Sequence, residues 1–212
     1  MGIAERRERE KEQRRNDILD AAEKVFFSKG IDKATMDEVA EKAELSKGTL
    51  YLYFKSKEEL YLGINIRGLK ILRRLFDDAV NGQATGLEKS RAIGEAYFQF
   101  YQKYENYFNA MFYFEGTELD ISNEESFACQ CHRDSEGVLN IVAQAIRDGI
   151  EDGSIRSDLD PLKTSFLLWA QSTGVIQHIA VQGKYLQENH HINPQELVAD
   201  FFEFMNYALR AA

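Results

Sequence analysis

Thr35–Lys57, TMDEVAEKAELSKGTLYLYFKSK, reads as two short helices joined by a tight turn, with a third helix beginning at its end. Thr35 is followed three residues later by Glu38, a capping box in which each side chain satisfies an orphan N–H of a helix N-terminus. Val39, Ala40 and Ala43 then recur at helical spacing and give this helix a small apolar face. Glu44-Leu45-Ser46 breaks the period. Ser46 is placed to cap a second helix that sends Leu50 and Phe54 inward at i and i+4. Ser56 with Glu59 repeats the capping box, so a third helix is expected from Lys57. Two such helices around a short turn fit a helix-turn-helix, whose second helix enters the DNA major groove.

The outer side of that second helix carries Lys47, Gly48, Thr49, Tyr51 and Tyr53: one cation, one residue without a side chain, and three hydroxyls. Gly48 lets the backbone approach another surface, at a cost in helix stability. Hydroxyls of this kind bond phosphate oxygens and fix register on a duplex. With Thr35, Ser46, Lys55 and Lys57, these residues form the expected DNA-contacting set. The bland alternative is a helical hairpin with an ordinary solvated face.

The same stretch strongly resembles the DNA-binding domain of the TetR family of bacterial transcriptional regulators. The resemblance covers roughly residues 14–62. It rests on Ala21-Ala22, Phe26, Gly30, Thr35, Val39-Ala40, Ala43, the run Ser46-Lys47-Gly48-Thr49-Leu50-Tyr51, Tyr53-Phe54, Lys57 and Leu60. Many members carry His where this chain has Tyr53; either side chain can donate to phosphate. Beyond this region only the length and the all-helical pattern match. The resemblance implies an inducer-binding second half and dimerisation through the last two helices as a four-helix bundle.

Across the 212 residues there are only two prolines, and helical periods dominate over alternating β-type runs. An all-α fold of about nine helices is expected. It would hold a charged extension at residues 1–13, a three-helix DNA-binding domain at 14–56 and a larger ligand-binding and dimerisation bundle at 57–212. The net charge of −9 looks unsuited to DNA until it is divided. Residues 1–57 hold 13 Lys+Arg against 12 Asp+Glu, whereas the rest of the chain is strongly acidic. Local charge at the groove-facing surface matters to counterion release, not the total. The charged N-terminus has no apolar signal segment. The most apolar run, residues 165–181, is interrupted by Gln171, Gln177 and His178 and reads as a buried helix, not a membrane span. With two cysteines and no disulfide framework, a reducing cytoplasm is the expected setting.

Residues 1–13 alternate Arg/Lys with Glu and read as a solvated helical extension. The sharper alternative has Arg14 and Arg15, beside a folded helix from Asn16 to Ser28, reaching phosphate or a minor groove. From Lys57 a long helix is expected to about Val80, with Gly63 and Gly68 as tolerated weaknesses. It would serve as a lever between the two halves. Residues 81–86 form a loop, and Leu87 to Tyr107 the next helix, with a short one following through Phe114.

Within this region Tyr97, Phe98, Phe100, Tyr101, Tyr104, Tyr107, Phe108, Phe112, Tyr113 and Phe114 crowd into one short span. One core stripe cannot take them all, and apolar pockets between helices are built from such residues. The expected effector site therefore draws on Tyr97, Tyr101, Tyr104, Phe108, Met111, Phe112, His132, Trp169, Thr173 and Gln177, for a small apolar or aromatic ligand. Plain core packing is the alternative for any single ring. Ser122 with Glu125 is read as the cap of a helix to Asp152 carrying Cys129, Cys131 and His132. On a helix the two thiols point about 200° apart and cannot share a metal. Cys129 and His132 at i and i+3 could, yet no second ligand pair completes a site, so buried thiols and no metal or cofactor are expected.

Asp160-Pro161 and Asn193-Pro194 each pair an N-cap with Pro at the first helical position. They open helices to Gln182 and Leu209 that are apolar over more than one face, which predicts packing against a second subunit. Phe166, Ala170, Phe201, Phe202, Met205 and Leu209 are the expected interface. The sequence therefore predicts a homodimeric, sequence-specific regulator that binds a palindromic operator and is released by ligand as a repressor. No nucleophile–base pair or phosphate loop supports a helical-bundle enzyme. A non-specific DNA-binding or scaffold protein without effector is the remaining alternative.

Overall fold

The computed structural model describes residues 2–113 and 119–211. Among these are nine helices: α1 (Ile3–Lys29), α2 (Met36–Lys42), α3 (Lys47–Tyr53), α4 (Lys57–Val80), α5 (Gly86–Lys103), α6 (Glu105–Ala110), α7 (Phe127–Glu151), α8 (Pro161–His190) and α9 (Pro194–Leu209). The β-type pairing among the described residues is one isolated antiparallel bridge, Ile155 with Arg210. The fold is all-α.

Side-chain caps place many of the helix starts. Thr35 Oγ1 accepts from the Glu38 amide, and the Glu38 carboxylate accepts from the Thr35 amide at 3.0 Å. Ser46 Oγ accepts from the Thr49 amide at 3.1 Å. Asp160 and Asn193 accept from the amides of Lys163 and Gln195 at 2.8 and 2.9 Å, each with Pro in the first turn. These four satisfy N–H groups that a helix leaves unpaired.

Several boundaries differ from the sequence reading. α1 starts at Ile3, not Asn16, because side-chain pairs such as Arg6–Glu10 and Gln13–Asp17, both 2.8 Å, support an exposed first half. α5 starts at Gly86 through a capping box of Thr85 with Glu88, and ends at Lys103. Tyr104 leaves helical geometry (φ −131°, ψ 41°), so the expected run to Tyr107 is split and α6 follows. Phe114 lies outside the described residues. α7 opens beyond Ser126, whose Oγ accepts from the Cys129 amide at 3.1 Å, while Asn123 holds the preceding turn. Ser122 therefore does not cap it. α8 continues eight residues past Gln182 and ends where His191 turns left-handed (φ 56°).

Packing divides the chain into two units, one of residues up to Gly68 with Asn106–His132, the other of Leu69–Glu105 with Arg133–Ala212. These packing bounds differ from the boundary expected at residues 56–57. The first unit has a core of Ile18, Leu19, Ala22, Val25 and Phe26 from α1, with Val39 and Ala40 from α2, Leu50 and Phe54, and Leu60, Tyr61 and Ile64 from α4. Gly63 is no mere weakness: a Cβ there would lie 2.8 Å from Leu19 Cδ2 and 3.4 Å from Phe54. Gly68 lies against the Tyr107 ring, which itself meets Phe27 edge-on at 5.4 Å. Arg67 fastens α4 to α1, donating to Asp20 at 2.7 Å, to Glu23 at 2.8 Å, and to the Asn16 carbonyl and side chain at 3.0 Å. Residues 106–132 add Ala110 to this core and stack Phe127 on Phe54 at 5.1 Å.

In the second unit the start of α5 is fastened to the end of α7. The Gly86 and Leu87 amides donate to Asp152 at 2.7 Å and Ser154 at 3.1 Å, and Lys89 pairs with Asp148. Gly86 meets Gly149 backbone to backbone; a Cβ on Gly86 would sit 2.0 Å from the Gly149 nitrogen. Backbone cannot step aside as a side chain can. Gly86→Ala is expected to cost about 3 kcal/mol, as overpacking does, and thermal unfolding with urea titration will measure it; an unchanged midpoint would refute the close approach.

Candidate nucleic-acid interface and effector cleft

α3 has seven residues and presents two unlike faces. Leu50 and Phe54 are completely buried. Opposite them Lys47, Gly48, Tyr51, Leu52 and Lys55 are exposed. Lys47 reaches back to Asp37 on α2 at 2.7 Å, and this carboxylate holds the ammonium above its ordinary pKa. Thr49 shares a 2.8 Å hydroxyl contact with Ser46. Lys55 donates to the Tyr51 carbonyl at 3.1 Å; Ser56 Oγ accepts from the Glu59 amide at 3.2 Å as that box requires, while the Glu59 carboxylate accepts from the Lys55 amide at 2.6 Å, one residue earlier than expected. A Cβ added at Gly48 would find Ser46 Oγ as its nearest neighbour, at 3.9 Å, so the backbone there is open to approach.

Three residues of the expected DNA set or its flank turn inward instead. Tyr53 is half-buried and packs against the first unit's core. The Lys57 ammonium lies within 3.4 Å of the Asp32 carbonyl and 3.3 Å of the Ala34 carbonyl, tying α4 to the α1–α2 connection. Arg15 lays its guanidinium over the Phe127 ring at 5.1 Å, and Phe54 lies 6.0 Å from it. A cation over aromatic faces is a stabilising contact, and it draws Arg15 away from any phosphate. Arg14 is exposed.

The aromatic run is divided between the units. In the second unit Tyr97 is buried, packs on Trp169 at 4.8 Å and shares a 2.9 Å hydrogen bond with Thr173. Tyr97 and Trp169 help line a mostly apolar cleft with Phe76, Ile93, Phe202 and Leu209, whose polar groups include Ser90, Arg91, Ser172 and Asn206. Its cavity volume is about 50 Å³, room for a few waters at roughly 10–15 Å³ each. A larger ligand requires it to open. Tyr101 pairs with Phe98 at 6.1 Å and Tyr104 with Phe100 at 5.8 Å. Neither lines this cleft. In the first unit, Phe108 is buried against Phe112 at 5.1 Å, Met111 is half-buried and His132 is exposed. Gln177 is exposed on α8 and does not line the cleft. Cys129 and Cys131 are half-buried thiols outside any disulfide, and among the described residues no group of three His, Cys, Asp or Glu side chains could hold a metal.

α8 and α9 leave a broad apolar face uncovered. Phe166 is 57% exposed, Phe204 68% and Tyr207 84%, with Leu167, Val181 and Tyr185 also exposed. Phe166, Ala170, Gly174, Val181 and Tyr185 follow one helical stripe, and nothing lies within 4 Å of a Cβ at Gly174. Two expected interface residues belong to the chain's own packing. Leu209 is buried with Ile146 and Ile155. Phe202 packs on Gly94 of α5, where a Cβ would lie 2.8 Å from the ring. Phe201 and Met205 are half-buried.

Residues 18–64 match the profile of "Bacterial regulatory proteins, tetR family". Over 151 residues the chain is 30% identical to the HTH-type transcriptional regulator YhgD of Bacillus subtilis, covering 71% of this chain and 76% of that one. The chain belongs to the TetR family. It is a DNA-binding transcriptional regulator, not an enzyme. The same fold recurs in FadR of Bacillus subtilis, solved with stearoyl-CoA, at TM-score 0.67, 22% identity, 88% of this chain and 95% of that one. It recurs in AibR, solved with isovaleryl coenzyme A and operator DNA, at TM-score 0.65, 17% identity, 90% and 97%. Among the described residues no helix is long and apolar enough to cross a membrane.

The geometry of α3 separates side chains left open on its outer face from those that build the first unit's core. Leu52, exposed on the outer face, is absent from the set expected from sequence, which there named a cation, hydroxyls and Gly48. Tyr51→Ala is expected to weaken binding to every duplex together, about tenfold if one phosphate bond at the strength of a charge-assisted pair is lost, with unfolding unchanged. Lys57→Ala is expected to lower the melting temperature as well, since it removes two internal bonds. Fluorescence anisotropy beside thermal unfolding separates them; an equal thermal loss in both would contradict this division.

Proposed function

We propose that this TetR-family chain is a cytoplasmic homodimeric repressor that binds a palindromic DNA operator and leaves it when a small apolar effector occupies the second unit. The carrying observation is α3, whose inner face is locked into the first unit's core while Lys47, Gly48, Tyr51 and Lys55 stay open to a groove. With Thr35, Ser46 and Thr49 at the helix starts, they form the DNA surface. Functionally, residues 14–56 read DNA and residues 57–212 hold effector and partner. The uncovered α8–α9 face supports a dimer, which would place two recognition helices roughly 34–36 Å apart for successive major grooves.

The cleft beside Tyr97 and Trp169 is the effector site, and its small volume supports a ligand that must open the bundle to enter. A ligand shifts an equilibrium only through its differential affinity for the two states. α4, shared by both units, is the element through which opening reaches α3. The complexes of FadR and AibR make acyl-CoA thioesters the first effectors to try, with the acyl chain as the apolar part for the cleft and the charged coenzyme A left outside it.

Gel-shift titration with the chain's own promoter region tests the reading: a sequence-specific complex is expected, dissociated by the right effector. Its absence with or without cell extract would overturn it. Phe166→Glu combined with Phe204→Glu is expected to give monomers in sedimentation velocity while leaving the fold intact. A dimer persisting in that variant would move the interface elsewhere.

A further inference from the structure

The geometry points to a thymine-methyl reader built from Leu52 and Gly48 on α3, and we propose that Leu52 sets base preference within the operator. This rests on the DNA-binding function proposed above. Leu52 is 75% exposed, whereas Leu50 on the same helix is buried and Tyr53 packs against the core. Its isobutyl group lies outside the first unit's core, on the side of α3 opposite Leu50 and Phe54. Gly48 precedes it by four residues, so the two lie within about 40° on one face at 3.6 residues per turn. Tyr51 lies about 60° to the other side of Gly48, and Lys55 follows beyond the end of α3.

The outer face thus offers bare backbone at Gly48 and an aliphatic side chain at Leu52, with Tyr51 and Lys55 also exposed. Tyr51 and Lys55 carry groups suited to phosphate oxygens. Leu52 has no donor or acceptor and cannot make such a bond. What the major groove offers an aliphatic side chain is the C5-methyl of thymine. Absence of a Cβ at Gly48 lets the helix sit close enough for that contact, and any larger residue there would hold Leu52 off the base edge.

The test begins with selection of duplexes from a randomised DNA library by the full-length protein. Each thymine of the best duplex is then replaced by deoxyuridine, which removes the methyl and leaves base pairing unchanged. Binding is expected to fall about fourfold per half-site at one symmetry-related thymine, the cost of one methyl group returned to water. Leu52→Ala should bind the unsubstituted duplex correspondingly less well and show no difference between thymine and uracil there. Its melting temperature should match the parent, since the side chain is exposed. Equal uracil penalties in parent and variant, or no sensitive thymine, overturn the proposal while leaving operator binding intact. A library that enriches no sequence overturns the operator reading itself, and this inference with it.

Discussion

A helix of seven residues has no stability of its own in water, because nucleation costs more than so few hydrogen bonds return. α3 exists only because Leu50 and Phe54 are completely buried among Ile18, Leu19, Leu60 and Ile64. Everything else about the first unit serves that burial. Gly63 removes a Cβ so that Leu19 and Phe54 can close on α4, Arg67 fastens α1 to α4, and the Lys57 ammonium ties the α1–α2 connection to the start of α4. With one face so firmly held, the other can be chosen for contact with DNA.

The first unit also includes residues 106–132. Tyr107 lies on Gly68 and Phe27, Tyr113 bonds Asp32 at 3.0 Å and packs on Tyr61 at 4.9 Å, and Phe127 stacks on Phe54. Burial pushes the Tyr61 phenol up to about 12, so this contact stays neutral across physiological pH. Much of the aromatic run that reads in sequence as a cavity wall therefore braces the DNA-reading unit.

What was legible in the sequence was what local chemistry controls. The caps at Thr35, Ser46, Asp160 and Asn193, and the spacing of Leu50 and Phe54, gave helix starts and the inner face of α3 directly. Ser122 reads as a cap in sequence, yet the Glu125 amide donates to Asn123 Oδ1 and Ser126 caps α7, a choice among adjacent polar residues that only the folded turn makes. Close approaches at Gly63, Gly68, Gly86 and Gly149 depend on residues distant in the chain and leave no local pattern. The same holds for Arg15 and Lys57, cations whose sequence context favours solvent while aromatic faces and carbonyls elsewhere draw them in. Leu52 was missed because the set expected there named a cation, hydroxyls and Gly48.

α3 is divided between an inner face that holds the fold and an outer face proposed to meet DNA. Hydroxyl-radical footprinting with mass spectrometry, on the full-length protein with and without a selected duplex, measures it directly. DNA should protect Tyr51 and Leu52 from oxidation while Leu50 and Phe54 stay unreactive in both states. Protection confined to another surface, with Tyr51 and Leu52 as reactive as before, would contradict it.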